Sequence, residues 1–215
     1  MEPSFWRERW DTGEIGFHEG VPNHLLVRFG ALLPDGERAL VPLCGKAVDL
    51  RWLMERGHPV VGVELSTTAV DAFFREQGLP QSVEARPPFT LHRGPDVDLY
   101  QGDFFDASPS LLGTFQAAYD RAALIALAPD TRARYAASMA ALIAPGGRVL
   151  LITLGYDQAL APGPPWSVPT DVVRALFRKD FVVETLLSAP VEAPSRLRAA
   201  GATGAREHAF LLHRV

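Results

Sequence analysis

Cysteine is almost missing from this 215-residue chain, where Cys44 stands alone. A single thiol excludes an internal disulfide framework and any zinc site built on several cysteines, and it suits a reducing compartment. A surplus of positive charge is missing too. The 21 Lys and Arg are outnumbered by 25 Asp and Glu, and the net charge is −4. Nucleic acid or an anionic membrane surface is therefore not an expected partner. Long apolar runs are absent, and a stretch such as Val149 to Leu154 is far too short to cross a bilayer. The opening residues, Met1-Glu2-Pro3-Ser4-Phe5-Trp6-Arg7, lack the basic-then-apolar order of a secretory signal. A cytoplasmic protein is expected. No repeat of fixed period and no low-complexity linker interrupts the chain.

What is present is a globular composition, 47% hydrophobic and 21% charged, enough to bury a substantial core. One domain over residues 1–215 is expected, working as a monomer, with 1–30 as a helical extension or lid. Apolar, partly β-branched runs read as strands at Arg38 to Leu43, Pro59 to Glu64, Val97 to Gln101, Phe115 to Tyr119, Gly147 to Leu154, Phe181 to Ser188 and Arg206 to His213. Helical patterns lie between most of them. Val48, Leu50, Trp52, Leu53 and Met54 make an apolar face before Gly57. Ser66 can cap a helix carrying Val70, Phe73 and Phe74 that stops at Gly78. Asp130 to Ala144 and Asp171 to Lys179 are further helices, whereas Ala189 to Ala205 shows no convincing one.

Strands alternating with helices imply βαβ units and a sheet covered on both faces. The fold class expected is α/β: a doubly wound, mainly parallel seven-stranded sheet whose last strand returns antiparallel as a C-terminal hairpin. In such sheets ligands sit at the carboxyl ends of the strands, and an acidic residue after the second strand binds ribose hydroxyls. The segment Ala39-Leu40-Val41-Pro42-Leu43-Cys44-Gly45-Lys46 supplies the first turn, and Glu64 follows Gly45 by 19 residues. An ordinary strand-turn-helix with a solvated Glu is the alternative. A dinucleotide would require G-x-G-x-x-G, and only Gly45 is available. A P-loop is excluded because Leu40 replaces its first Gly and Ala47 its hydroxyl residue. S-adenosylmethionine (SAM) has an adenosine but no phosphate, which fits a turn stripped of anion-binding glycines.

The sequence also resembles the thiopurine S-methyltransferase family in its short bacterial form. The resemblance rests on Phe5-Trp6-Arg7-Glu8-Arg9-Trp10 with Ile15-Gly16-Phe17-His18, on Pro42-Leu43-Cys44-Gly45-Lys46, and on Gly57-His58-Pro59-Val60-Val61-Gly62-Val63-Glu64. It continues through Ala72-Phe73-Phe74, Gly102-Asp103-Phe104-Phe105-Asp106, Tyr119-Asp120-Arg121-Ala122-Ala123-Leu124 and Pro162-Gly163-Pro164-Pro165, and weakens after Ala189. It implies a SAM-dependent methyltransferase acting on sulfur of small aromatic or heterocyclic thiols, a detoxification chemistry. By matching motif positions, Trp10, Leu43, Gly45, Glu64 and Arg121 would surround the cofactor, with Asp103 and Phe104 flanking adenine. Phe17, Arg121 and Arg196 would lie on the acceptor side.

Residue chemistry agrees for most of these. Glu64 can accept both ribose hydroxyls, and Arg121, at the ligand edge after the fourth strand, can position an acceptor anion; Arg196 or Arg198 could be a second cation. A local ion pair with Asp120 is the plainer alternative for Arg121. Trp6 and Trp10 share a helical face, and Trp10 could meet a sulfonium through a cation–π contact. Cys44 is expected to be a buried structural thiol. The six histidines show no ligand spacing, so no metal is expected. Two other readings keep the same fold: methylation of selenium or tellurium compounds or of halide, or SAM binding without turnover.

Overall fold

A computed structural model describes residues 3–202 and 204–215. In chain order the elements are α1 (Pro3–Asp11), α2 (His24–Phe29), β1 (Ala39–Pro42), α3 (Val48–Glu55), β2 (Val60–Glu64), α4 (Thr67–Gln77), β3 (Ser82–Arg86), β4 (Phe89–Gly94) and β5 (Val97–Gln101). They continue with α5 (Pro109–Leu112), β6 (Phe115–Arg121), α6 (Ala123–Ala126), α7 (Arg132–Leu142), β7 (Ile143–Gly155), α8 (Thr170–Phe177), β8 (Phe181–Val191), α9 (Ser195–Ala199) and β9 (Ala205–Arg214).

The strands form one sheet in the order β3-β4-β5-β2-β1-β6-β7-β9-β8. Pairing is parallel from β5 through β2, β1 and β6 to β7, and antiparallel at both margins. The C-terminal strand β9 inserts antiparallel between β7 and β8, as expected from a connection too poor in helical pattern to make a crossover.

The parallel strands are buried on both faces, and their side chains divide between two cores with period two. Leu40, Val61, Val63, Ala118, Val149 and Leu151 face Tyr135, Met139, Val173 and Phe177 of α7 and α8. Their neighbours Ala39, Val41, Val60, Ala117, Tyr119, Leu150 and Ile152 face Leu25, Leu26, Leu50, Leu53, Val70 and Phe73 of α2, α3 and α4. Each fully buried Leu or Phe contributes about 1.5–3 kcal/mol. Capping is as the sequence predicts for α4: the Ser66 hydroxyl accepts from Ala69 N–H at 3.2 Å, and Gly78 ends the helix in the left-handed region.

Three expectations need correction. The sheet has nine strands, not seven, because the hairpin β3–β4 extends the β5 edge. Every residue of β3 is exposed, and its two apolar side chains, Val83 and Ala85, make too short an alternation to mark a strand. Strand β7 begins at Ile143, earlier than its apolar stretch, and α7 stops at Leu142. The segment after β8 contains the short helix α9, which buries Leu197. No helix of the described residues is long and apolar enough to cross a membrane.

Candidate active site

In the parallel part of the sheet the chain runs outward from β1, to β2 and β5 on one side and to β6 and β7 on the other. This reversal opens a crevice at the carboxyl ends of β1 and β6, where α/β sheets place their ligands. The backbone is strained at both lips. Leu43, after β1, has φ 48° and Ala122, after β6, has φ 68°, in the left-handed region that costs a non-glycine residue about 1–2 kcal/mol. The surrounding structure holds both in place, which gives the two turns fixed shapes.

Glu64 ends β2 beside the β1 turn and is 6% exposed. Its Oε2 accepts the Gly45 N–H at 2.8 Å and its Oε1 the Ser66 N–H at 2.8 Å. Burial pushes its pKa up, while the N–H groups of Ser66, Gly45 and Leu65 oppose the shift. The solvated Glu is thereby ruled out: this carboxylate is a buried acceptor with each oxygen oriented by one backbone donor. The Glu64 carbonyl also accepts Gly102 N–H at 2.8 Å, which sets the β5 turn beside it.

Trp10, 8% exposed and the buried residue of α1, lies over that turn. Gly45 has φ 55°, and a Cβ there would stand 2.9 Å from the Trp10 ring, so the indole sits directly on the glycine backbone. Phe17 meets Trp10 edge-on at 5.5 Å, and Thr68 of α4 donates to Asp11 at 2.8 Å to dock the end of α1.

Arg121 fastens this roof. Its Nη1 donates to the Phe17 carbonyl at 3.0 Å and its Nη2 to the Glu19 carboxylate. The local pair with Asp120 does not form. Asp120 turns inward, 1% exposed, and accepts the Tyr135 hydroxyl at 2.7 Å; desolvation pushes its pKa up to about 6. A second tether lies close by. Asp49 accepts Asn23 N–H at 2.7 Å and the Tyr119 hydroxyl at 2.9 Å, which pins the end of the 17–23 segment.

Asp103 spends one carboxylate oxygen on Phe105 N–H at 2.9 Å, capping a short turn, and Phe104 packs its ring 5.2 Å from Tyr135. Arg196 stands apart on α9, where its Nη1 donates to the Pro164 carbonyl at 2.9 Å. Cys44 is buried, and burial followed by the charge of Glu64 pushes its thiol well up, as suits a structural side chain. Trp10, Phe17, Leu43, Gly45, Glu64 and Arg121 thus converge on one crevice. Sequence reasoning missed Glu19, Asn23 and Asp49. Their partners lie 102, 26 and 70 residues away, and no local spacing links them.

The crevice fits a SAM-like molecule on its own terms. Glu64 keeps lone pairs for two ribose hydroxyls, Gly45 lets the backbone pass close under the Trp10 ring, and neither phosphate motif is present at that turn.

A family model described as "Thiopurine S-methyltransferase (TPMT)" matches residues 1–215. The thiopurine S-methyltransferase of Xanthobacter autotrophicus is 45% identical over 218 residues, covering 100% of both chains. That of Marinobacter nauticus is 42% identical over 216 residues, covering 99% of each. Among solved structures, a SAM-dependent methyltransferase from Anabaena variabilis superposes with TM-score 0.65 at 14% identity, over 99% of this chain and 95% of that one. The 1,6-didemethyltoxoflavin-N1-methyltransferase of Burkholderia thailandensis, solved with S-adenosylhomocysteine, gives TM-score 0.63 at 16% identity, over 99% and 87%. At those identities the structures share the fold alone. The match along the whole sequence goes further: this chain belongs to the thiopurine S-methyltransferase family, whose methyl donor is SAM.

Proposed function

We propose that this enzyme moves the methyl group of SAM to the sulfur of a small aromatic or heterocyclic thiol, through the crevice between β1 and β6. The observation that carries the proposal is the buried Glu64 carboxylate, tied to Gly45 N–H at 2.8 Å under the Trp10 ring. SAM, when bound, supplies an electrophilic methyl carbon on a sulfonium; the acceptor sulfur gains that carbon as its bond to the sulfonium breaks, and the donor leaves as neutral S-adenosylhomocysteine.

The side chains have distinct tasks. Glu64 holds the ribose hydroxyls, Leu43 and Gly45 offer backbone to the amino-acid part, and Asp103 and Phe104 border the adenine. Trp10 and Phe17 close the crevice from water and present aromatic faces to a cation, a contact worth about 0.5–2 kcal/mol. Arg121 holds Phe17 and Glu19, so its first task is to seat the roof, and it retains N–H groups for an acceptor anion. Arg196 flanks the acceptor from the far side.

A thiolate and a sulfonium disperse charge as they react, so an apolar closed crevice suits the step. Correct placement of the sulfur supplies much of the rate. The enzyme is further proposed to act as a single-domain monomer in the cytoplasm. Incubation with methyl-labelled SAM and a panel of thiols tests the proposal, and a labelled thioether is the expected product.

A further inference from the structure

The margin of the sheet beyond β7 carries polar groups that the crevice does not use. Leu151 of β7 and Phe210 of β9 are register partners, and both face α7 and α8. Two and four residues further along β7, the pairs Thr153–His208 and Gly155–Arg206 return to that face. Arg121 follows Tyr119 of the opposite core by two residues, and Glu207, between Arg206 and His208, pairs with His24 of α2 at 3.0 Å. Arg206 and His208 therefore lie across the sheet from the Arg121 strap.

A cavity of about 620 Å³ opens on their side, between β9 and the start of α8, with Arg206, His208, Thr170, Asp171 and Arg174 in its lining. His208 is 4% exposed, and both its ring nitrogens are buried without a partner among the described residues. A Cβ on Gly155 would stand 2.7 Å from His208 Nε2 and 3.6 Å from the Pro169 Cα, so that nitrogen lies beneath the first turn of α8. No side chain caps this helix. Its N-cap is Pro169, and the first N–H groups of a helix have no acceptor within it. Thr170 and Arg174, four apart, share the face above the cavity.

Among the described residues neither Arg174 nor Arg206 pairs with a carboxylate. Arg206 is oriented by Ser188 of β8, donating from Nε to its hydroxyl at 3.2 Å and from Nη2 to its carbonyl at 2.7 Å. Arg174 Nη2 reaches only the Thr185 hydroxyl, at 3.4 Å. Two carboxylates also line the cavity: Asp157 turns one oxygen to Ala159 N–H at 3.0 Å, and Asp171 stands exposed in the first turn of α8. Among the described residues no histidine, cysteine and acidic side chains gather in a way that could hold a metal ion. A buried imidazole, an uncapped helix start and two guanidinium groups without counter-ions suit a ligand rich in acceptors and negative charge.

We propose that this cavity binds the phosphate or sulfate group of a small anion, held by His208 Nε2, the first N–H groups of α8, Arg174 and Arg206. The site is separate from the crevice, and its volume leaves room for an organic remainder beside the oxyanion. Burial, and then the charge of Arg206, hold the His208 imidazole below its usual range, and a bound dianion favours its protonated form. The other titratable or charged groups that line the cavity with it are Tyr156 and Asp157 after β7, Asp171 and Arg174 on α8, and Arg206 on its own strand.

The test is calorimetric titration with sodium sulfate and with glycerol 3-phosphate, at constant ionic strength, of the wild type, Arg174→Gln and His208→Phe, each with and without S-adenosylhomocysteine. Both anions should bind the wild type, with the same affinity whether or not S-adenosylhomocysteine is present. Each variant should weaken binding about tenfold or more. Arg174 is exposed, so its variant decides the matter should His208→Phe not fold. Sulfate stays a dianion, so its affinity should rise as pH falls from about 8 to about 6, and His208→Phe should flatten that rise. Sulfate bound as tightly as glycerol 3-phosphate supports a free inorganic ion as the occupant, and tighter binding of the ester supports a small phosphorylated molecule. Displacement of sulfate by S-adenosylhomocysteine, binding indifferent to both variants, or no binding of either anion overturns the site.

Discussion

Arg121 and Phe17, 104 residues apart, are joined by a hydrogen bond of 3.0 Å from the guanidinium Nη1 to the Phe17 carbonyl, and Nη2 of the same side chain pairs with Glu19. One arginine at the end of β6 therefore seats the segment that carries the aromatic roof. Arg121→Ala should lower kcat/KM by roughly 10- to 150-fold, the worth of a hydrogen bond to a charged group. The loss should be seen with neutral thiols and be larger with anionic ones, since the roof loosens for both and only the anion also loses a donor. Arg121→Lys should recover only part, because an ammonium cannot bond both partners with the geometry of a planar fork. Kinetics over a series of aromatic thiols checks this; a loss confined to anionic acceptors would make Arg121 an acceptor ligand rather than a strap.

Glu64→Ala removes a buried acceptor and strands the N–H groups of Gly45 and Ser66. SAM affinity should weaken by about 1.5–3 kcal/mol, read by calorimetry. Unchanged affinity would take Glu64 out of the cofactor site.

Asp120 gives a pH-dependent outcome. Burial raises its pKa from 3.8 to about 6, so the folded state disfavours the ionised form. The group imposes no penalty below the unfolded pKa near 3.8. Stability is lost as pH rises toward about 6, where the cost levels at the order of 3 kcal/mol. Asp120→Asn keeps an acceptor for the Tyr135 hydroxyl and cannot ionise. Its stability relative to wild type should climb between pH 4 and pH 6.5 and then level. Denaturant unfolding at several pH values measures it, and a difference independent of pH would show that Asp120 does not titrate in that window.

Deleting residues 1–17 removes one buried side chain of α1, Trp10, and leaves Leu25 and Leu26 in the core. Cooperative melting should survive, with a lower midpoint, while turnover falls sharply. Loss of the fold would make the N-terminal segment structural rather than a lid.

The five parallel strands were legible because burial on both faces writes short, nearly continuous apolar runs into the sequence, and α4 because Ser66 and Gly78 mark its ends. The β3 strand was not, because all its residues are exposed, and α9 is too short to show a period. At the site, Glu64 could be placed from its strand position and its distance from Gly45. The partners of Arg121 could not: an acid after a strand, such as Asp120, looks like a local partner until its carboxylate is found turned toward Tyr135.

The most direct test of methyl transfer to sulfur is a single incubation of the purified protein with methyl-labelled SAM and an aromatic thiol such as thiophenol or a thiopurine. The label should appear on sulfur as a thioether, matched one for one by S-adenosylhomocysteine, and Glu64→Ala should suppress both together. Tight SAM binding with no labelled thioether from any thiol in a broad panel would contradict it.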